Sequence, residues 1–132
     1  MDTKLIGLTV GTWLIFMVAA IANAVIREAV YGPVVGNLVA HQISTFVFMA
    51  MILLITFLVF RFADVELSVQ QAFLIGAVWL VLTVAFEFLA GHYVFGNPWE
   101  RLLADYNLLQ GRIWGLILVT VLFAPYLANE LG

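Results

Sequence analysis

The chain has 132 residues, of which 65% are hydrophobic and 10% charged, against about 25% charged in an average soluble domain. With a mean hydropathy of +1.13, this composition excludes a disordered tail, a collagen-like fibre and a basic nucleic-acid module, and it selects an integral membrane protein. The formal net charge of -3 specifies no partner, and the lack of cysteine excludes disulfides, thiolate nucleophiles, Fe–S clusters and Cys-type zinc sites.

Charges punctuate four apolar runs. The first runs uncharged from Leu5 to Ile26 between Lys4 and Arg27. Its Ala22-Asn23-Ala24 has the small-x-small look of a signal-peptidase site, but only one lysine, offset by Asp2, precedes the run, so a retained helix is expected. Tyr31-Gly32-Pro33, just before Gly36, breaks the second run, after which a helix can extend to Phe60. The third covers Leu67 to Phe86 and the fourth Ile113 to Asn129, each near the roughly 17–25 residues that cross a bilayer. Asn97-Pro98 reads as an N-cap with proline at the first helical position, followed by an amphipathic interfacial segment from Trp99 to Gln110. The expected fold is all-α: one transmembrane domain over residues 1–132, with helices at about 4–30, 36–61, 67–95 and 98–128. Short connections make it an up-down-up-down bundle, and the lack of alternation disfavours a barrel.

That topology collects the unusual polar residues on one side. Helix 1 ends with Asn23, Arg27 and Glu28, and helix 2 begins with Asn37, His41, Gln42, Ser44 and Thr45. Helix 3 ends with Thr83, Glu87 and His92, and helix 4 begins with Glu100, Arg101, Asp105, Tyr106, Asn107, Gln110 and Arg112. At 1.5 Å per residue, Arg27, His41, Glu87 and Arg112 lie roughly 25–34 Å from the opposite helix ends, and so form one layer near one interface. Spacings of four residues (Asn23 to Arg27, Asn37 to His41, Thr83 to Glu87, Arg101 to Asp105) give each helix a polar stripe. Glu87, the acid least able to reach bulk water, must be neutral or paired, and Arg27 or Arg112 at matching depth is its expected partner, with His41 one hydrogen-bonded step away. The pairs Gly7/Gly11 and Gly111/Gly115 are expected to pack within the bundle rather than in a dimer. The tryptophans read as interface anchors and core filler.

Arg27-Glu28, Tyr31-Gly32-Pro33, Ala40-His41-Gln42-Ile43-Ser44-Thr45, Phe86-Glu87-Phe88, Gly91-His92-Tyr93, Trp99, Asp105-Tyr106-Asn107 and Gly111-Arg112 together resemble a group of small bacterial four-helix inner-membrane proteins. The resemblance covers most of the chain and implies that architecture. No activity is attached to the group, so it implies no catalytic residue.

The first functional expectation is a polar pocket at one membrane interface, binding a lipid-soluble small molecule or acting on it by acid–base chemistry. In it Glu87 and His41 exchange protons while Arg27, Glu28, Asn37, Gln42, His92, Arg101, Asp105, Asn107 and Arg112 line the site. Buried Arg–carboxylate pairs that only lock the helix ends, in an accessory membrane subunit, are the competing reading. A homo-oligomeric, proton-linked or small-solute carrier is a third, against which stands the sparse polarity of Thr9, Thr12, Thr56 and Thr120 across the remaining thickness. His41 and His92 would permit a b-type haem, but His92 lies in a turn-like segment, so no cofactor is expected. No metal is expected either, since Glu28, His41, Glu87 and His92 lack the Glu-x-x-His signature of helical di-metal sites. Lipids are the expected partners and nucleic acid is not. Lys4 and Arg61 against Arg27, Arg101 and Arg112 nominally place the layer in the cytoplasm. Those three arginines have acidic neighbours, however, so cytoplasmic termini are expected.

Overall fold

The computed structural model describes residues 3–94, 96–104 and 115–131, and every element among them is helical. Helix α1 (Thr3–Ile26) continues through a π turn (Arg27–Tyr31) into the short α2 (Gly32–Val35). Then come α3 (Asn37–Phe62), α4 (Val69–Leu89) with a second π turn (Ala90–Val94), α5 (Trp99–Ala104) and α6 (Gly115–Leu131). Three stretches are long and apolar enough to cross a membrane: Thr3–Val35, Leu38–Phe62 and Val69–Val94. The helix expected over 98–128 is described only at its two ends. Its apolar part, α6, has 17 residues, about 25 Å of helix.

Local chemistry sets the breaks. Gly36 has φ 91° and ψ 161°, a conformation open to glycine alone, and it separates α2 from α3. At the end of α3, Asp64 has φ 53°, the amide of Val65 bonds the carbonyl of Phe60 at 3.2 Å and that of Asp64 bonds Arg61 at 3.3 Å. This is a Schellman closure with aspartate in the left-handed position. Helix α4 opens on a capping box: the Gln71 amide donates to the Ser68 Oγ at 3.1 Å and the Ser68 amide to the Gln71 Oε1 at 3.0 Å. Ser68→Ala is expected to cost about 1 kcal/mol, read as a lower unfolding midpoint in detergent. α5 begins at Trp99, one residue after the proline expected at its first position. The Asn97 amide is committed instead to the Gly91 carbonyl at 2.9 Å.

The core lies between α1, α3, α4 and α6, around the fully buried Trp79, Phe16, Phe48, Ile52, Ile75 and Ile117. The Trp79 ring meets Phe16 edge-on at 4.9 Å, and its Nε1 donates to the Thr9 carbonyl at 2.8 Å. The Nε1 of Trp13 donates to the Thr83 Oγ1 at 3.1 Å, so residue numbers rise together along α1 and α4. At the other end, Asn129 clasps the Leu67 backbone, accepting its amide at 3.2 Å and donating to its carbonyl at 2.9 Å. Gly76 is the glycine that lets helices meet: a Cβ there would stand 2.1 Å from the carbonyl oxygen of Leu122. The expectation that Gly7 and Gly11 pack inside the bundle is overturned, since a Cβ at either position meets nothing within 4 Å. Gly111 lies outside the described residues.

Most apolar surface points outward. In the most apolar windows of the three long helices only 22%, 33% and 28% of residues are buried, far more exposed hydrocarbon than a water-soluble monomer carries.

Candidate functional site

The best-defined polar cluster joins the end of α1 to the start of α3. Its scaffold is the first π turn, closed by the Gly32 amide on the Arg27 carbonyl. A Cβ on residue 32 would lie 2.6 Å from that oxygen, so glycine is required for the turn that presents Arg27. π turns of this kind often mark functional positions. The Arg27 guanidinium donates through Nη1 to the Ser44 Oγ at 3.0 Å and through Nε to the Glu28 Oε1 at 3.2 Å. Ser44 Oγ in turn donates to the His41 carbonyl at 3.2 Å, which also accepts from the Thr45 Oγ1 at 2.8 Å. Asn23, buried on α1, donates to the Ser44 carbonyl at 2.9 Å.

Burial separates the members of this network. The Arg27 side chain is 19% exposed and that of Glu28 70%, so the carboxylate is a rim group whose pairing contributes little while the guanidinium is held from inside. Beside them opens a cleft of about 320 Å³, lined by Arg27, Glu28, Gly32, Pro33 and Ala40. The Tyr31 hydroxyl, in the same turn, is sealed from the surface without a hydrogen-bond partner among the described residues. Such a group costs about 1–3 kcal/mol until something satisfies it.

A second cluster sits past the end of α4. The His92 Nδ1 is 2.8 Å from the Asn97 carbonyl, and the ring stacks on Trp99 with centroids 3.8 Å apart and planes 12° from parallel. Tyr93 meets both rings edge-on. These contacts fold the Gly91 to Trp99 connection onto itself.

Of the expected site residues, Arg27 and Glu28 therefore come together, with Ser44 and Asn23, and His41 joins them through its backbone carbonyl. His92 has its partners within its own connection. Glu87 on α4 and His41 and Gln42 on α3 are half-buried, and all three are engaged in contacts. Asn37 opens α3 and Arg101 lies in α5, their side chains being outside the described residues, as are Asp105, Asn107 and Arg112 altogether. The Glu87 pairing with Arg112 thus falls outside the described residues, and the polar partners described for Arg27 are Glu28 and Ser44. No three of His, Asp and Glu gather as a metal site among the described residues. Mid-helix hydroxyls are spent locally: Thr9, Thr56 and Thr120 each donate to the carbonyl four residues earlier, at 2.7–2.8 Å.

Two features escaped sequence reading. Ser44 is the hub of the α1–α3 network, yet a serine in an apolar helix carries no signal of its partners. A cleft of about 720 Å³ lies at the opposite end of the molecule, near Arg61 and Asp64, and a turn of mixed charge looks in sequence like any solvated loop. The chain matches no protein-family model, no curated protein and no solved structure.

Proposed function

We propose that the chain is a multi-pass protein of a bacterial inner membrane, an up-down-up-down bundle whose polar end binds a small lipid-soluble molecule through an acidic or carbonyl group. The parallel run of α1 and α4, the Asn23–Ser44 link between adjoining helix ends and the Leu67–Asn129 clasp support the bundle. Outward-facing apolar surface supports the membrane. In this reading the termini lie in the cytoplasm and the Arg27 layer faces the periplasm.

One observation carries the ligand: the cleft beside Arg27, a guanidinium oriented from inside by Ser44 at a mouth open to the interface. An arginine held this way meets a carboxylate, phosphate or carbonyl without further ordering. Glu87 and His41 are the groups through which the same end would exchange protons with the ligand.

The test is to purify the chain in mild detergent and analyse organic extracts for a stoichiometric small molecule. It is expected with the wild type, and Arg27→Ala is expected to release it, while Glu28→Ala, at the exposed rim, retains it. An empty wild-type protein, or one whose ligand survives Arg27→Ala, overturns the proposal. A second reading has its own support: Asn23 and Arg27 converge on Ser44, so the cluster acts only as a brace between α1 and α3. Under that reading Arg27→Ala lowers stability and no ligand is found.

A further inference from the structure

The end of the molecule opposite Arg27 carries two adjoining clefts of contrasting chemistry. One, of about 720 Å³, has Phe60, Arg61, Asp64, Glu66, Ala128 and Asn129 among its walls. The other, of about 260 Å³, is lined by Leu53, Leu54, Phe57, Ala124, Leu127 and Ala128, apolar throughout. Ala128 borders both, so the clefts adjoin along the seam between α3 and α6. From Arg61 at the mouth to Leu53 at the inner end is about 12 Å of helix. A charged cleft set beside a hydrocarbon-lined groove on one seam matches the two halves of an amphiphile.

The charges at the mouth choose its headgroup. Arg61, Asp64 and Glu66 form no ion pair among the described residues. Across the 64–67 turn, Lys4 lines a smaller cleft of about 210 Å³ that shares Asp64 and Glu66. Two cations and two carboxylates line these two clefts, and Glu130 beside Asn129 adds a further negative charge at the same end. A net-anionic headgroup would bring its phosphate against both carboxylates with no added cation to offset them, whereas a zwitterion with a phosphate and an ammonium answers both signs at once.

We propose that the α3–α6 seam binds one glycerophospholipid with an amine-bearing zwitterionic headgroup, its phosphate on Arg61, its ammonium on Asp64 and Glu66, and one acyl chain along Leu54, Phe57, Ala124 and Leu127. This rests on the membrane reading of the chain and is independent of the Arg27 cleft. Alkaline extraction of membranes tests the membrane reading separately, because an integral chain stays in the pellet whichever lipid it holds.

The full chain in mild detergent is titrated with dioleoyl phosphatidylethanolamine, phosphatidylcholine or phosphatidylglycerol, and bound copies are counted by native mass spectrometry. One saturable copy of phosphatidylethanolamine is expected, held above the other two. Arg61→Gln and Glu66→Gln are each expected to weaken it by about tenfold, the effect of losing one charge-assisted contact. Leu54→Trp, which fills the groove from its exposed rim, is expected to weaken all three lipids alike. All four variants and the wild type are compared at equal thermal stability; the fourth, Val34→Ala, exposed at the other end, is expected to bind as the wild type does. Equal binding of the three headgroups overturns the assignment, as does a preference for phosphatidylglycerol or an unchanged affinity in Arg61→Gln and Glu66→Gln.

Discussion

Trp79→Ala is expected to lower the stability of the detergent-solubilised protein by about 3–5 kcal/mol, the range for removing a large buried aromatic side chain. Trp79 is 0% exposed and joins its own helix, α4, to two others. Its ring lies edge-on to Phe16 of α1 and tilted at 6.4 Å from Phe60 of α3, and its indole N–H reaches the Thr9 carbonyl. In a membrane the hydrophobic effect gives no drive for one apolar helix to leave lipid for another, so packing and interhelical hydrogen bonds carry association. Both are lost at once in the alanine variant. Trp79→Phe separates them: it keeps most of the ring contact and forfeits the hydrogen bond, for which about 1 kcal/mol is expected. Thermal unfolding in detergent reads both variants, and an unchanged midpoint in Trp79→Ala would place the centre of the bundle elsewhere.

Gly76→Ala is the second large effect and runs against helix propensity. In a free helix alanine is better than glycine by about 1 kcal/mol, and that gain is expected at Gly7 and Gly11, where an added Cβ meets open space. At Gly76 the same methyl would lie 2.1 Å from the Leu122 carbonyl oxygen and 3.0 Å from its Cα. Both are backbone atoms that no rotamer change can move, so α4 and α6 must separate. Separation also pulls Phe73 from its stack on Tyr126, at 5.3 Å, and from its edge contact with Phe123, at 5.6 Å. Over-packing of this kind costs about 1–3 kcal/mol and sometimes more. The opposite signs at Gly76 and at Gly7 or Gly11, measured in one detergent, test the packing directly. A stabilised Gly76→Ala would contradict the close approach of α4 to α6.

Sequence alone determined that the chain is helical and apolar enough for membrane-spanning helices, because uncharged runs between Lys4 and Arg27 or after Tyr31-Gly32-Pro33 leave the backbone no other way to satisfy its hydrogen bonds in lipid. It also placed Asn23 and Arg27, at the end of α1, beside the start of α3 that carries His41, since a short connection makes those two ends adjoin. Which small residue serves packing was not legible: Gly7-xxx-Gly11 has the pattern of a close-contact pair and faces open space, while Gly76, alone in its run, meets Leu122. Periodicity places a residue on a face of its own helix, but the rotation of that helix against its neighbours depends on side-chain volumes summed over every partner. For the same reason only the tertiary structure decided that Arg27 bonds Ser44, that Trp79 reaches across to Thr9, and that the charges after α3 border a groove closed on its far side by α6, some sixty residues along the chain.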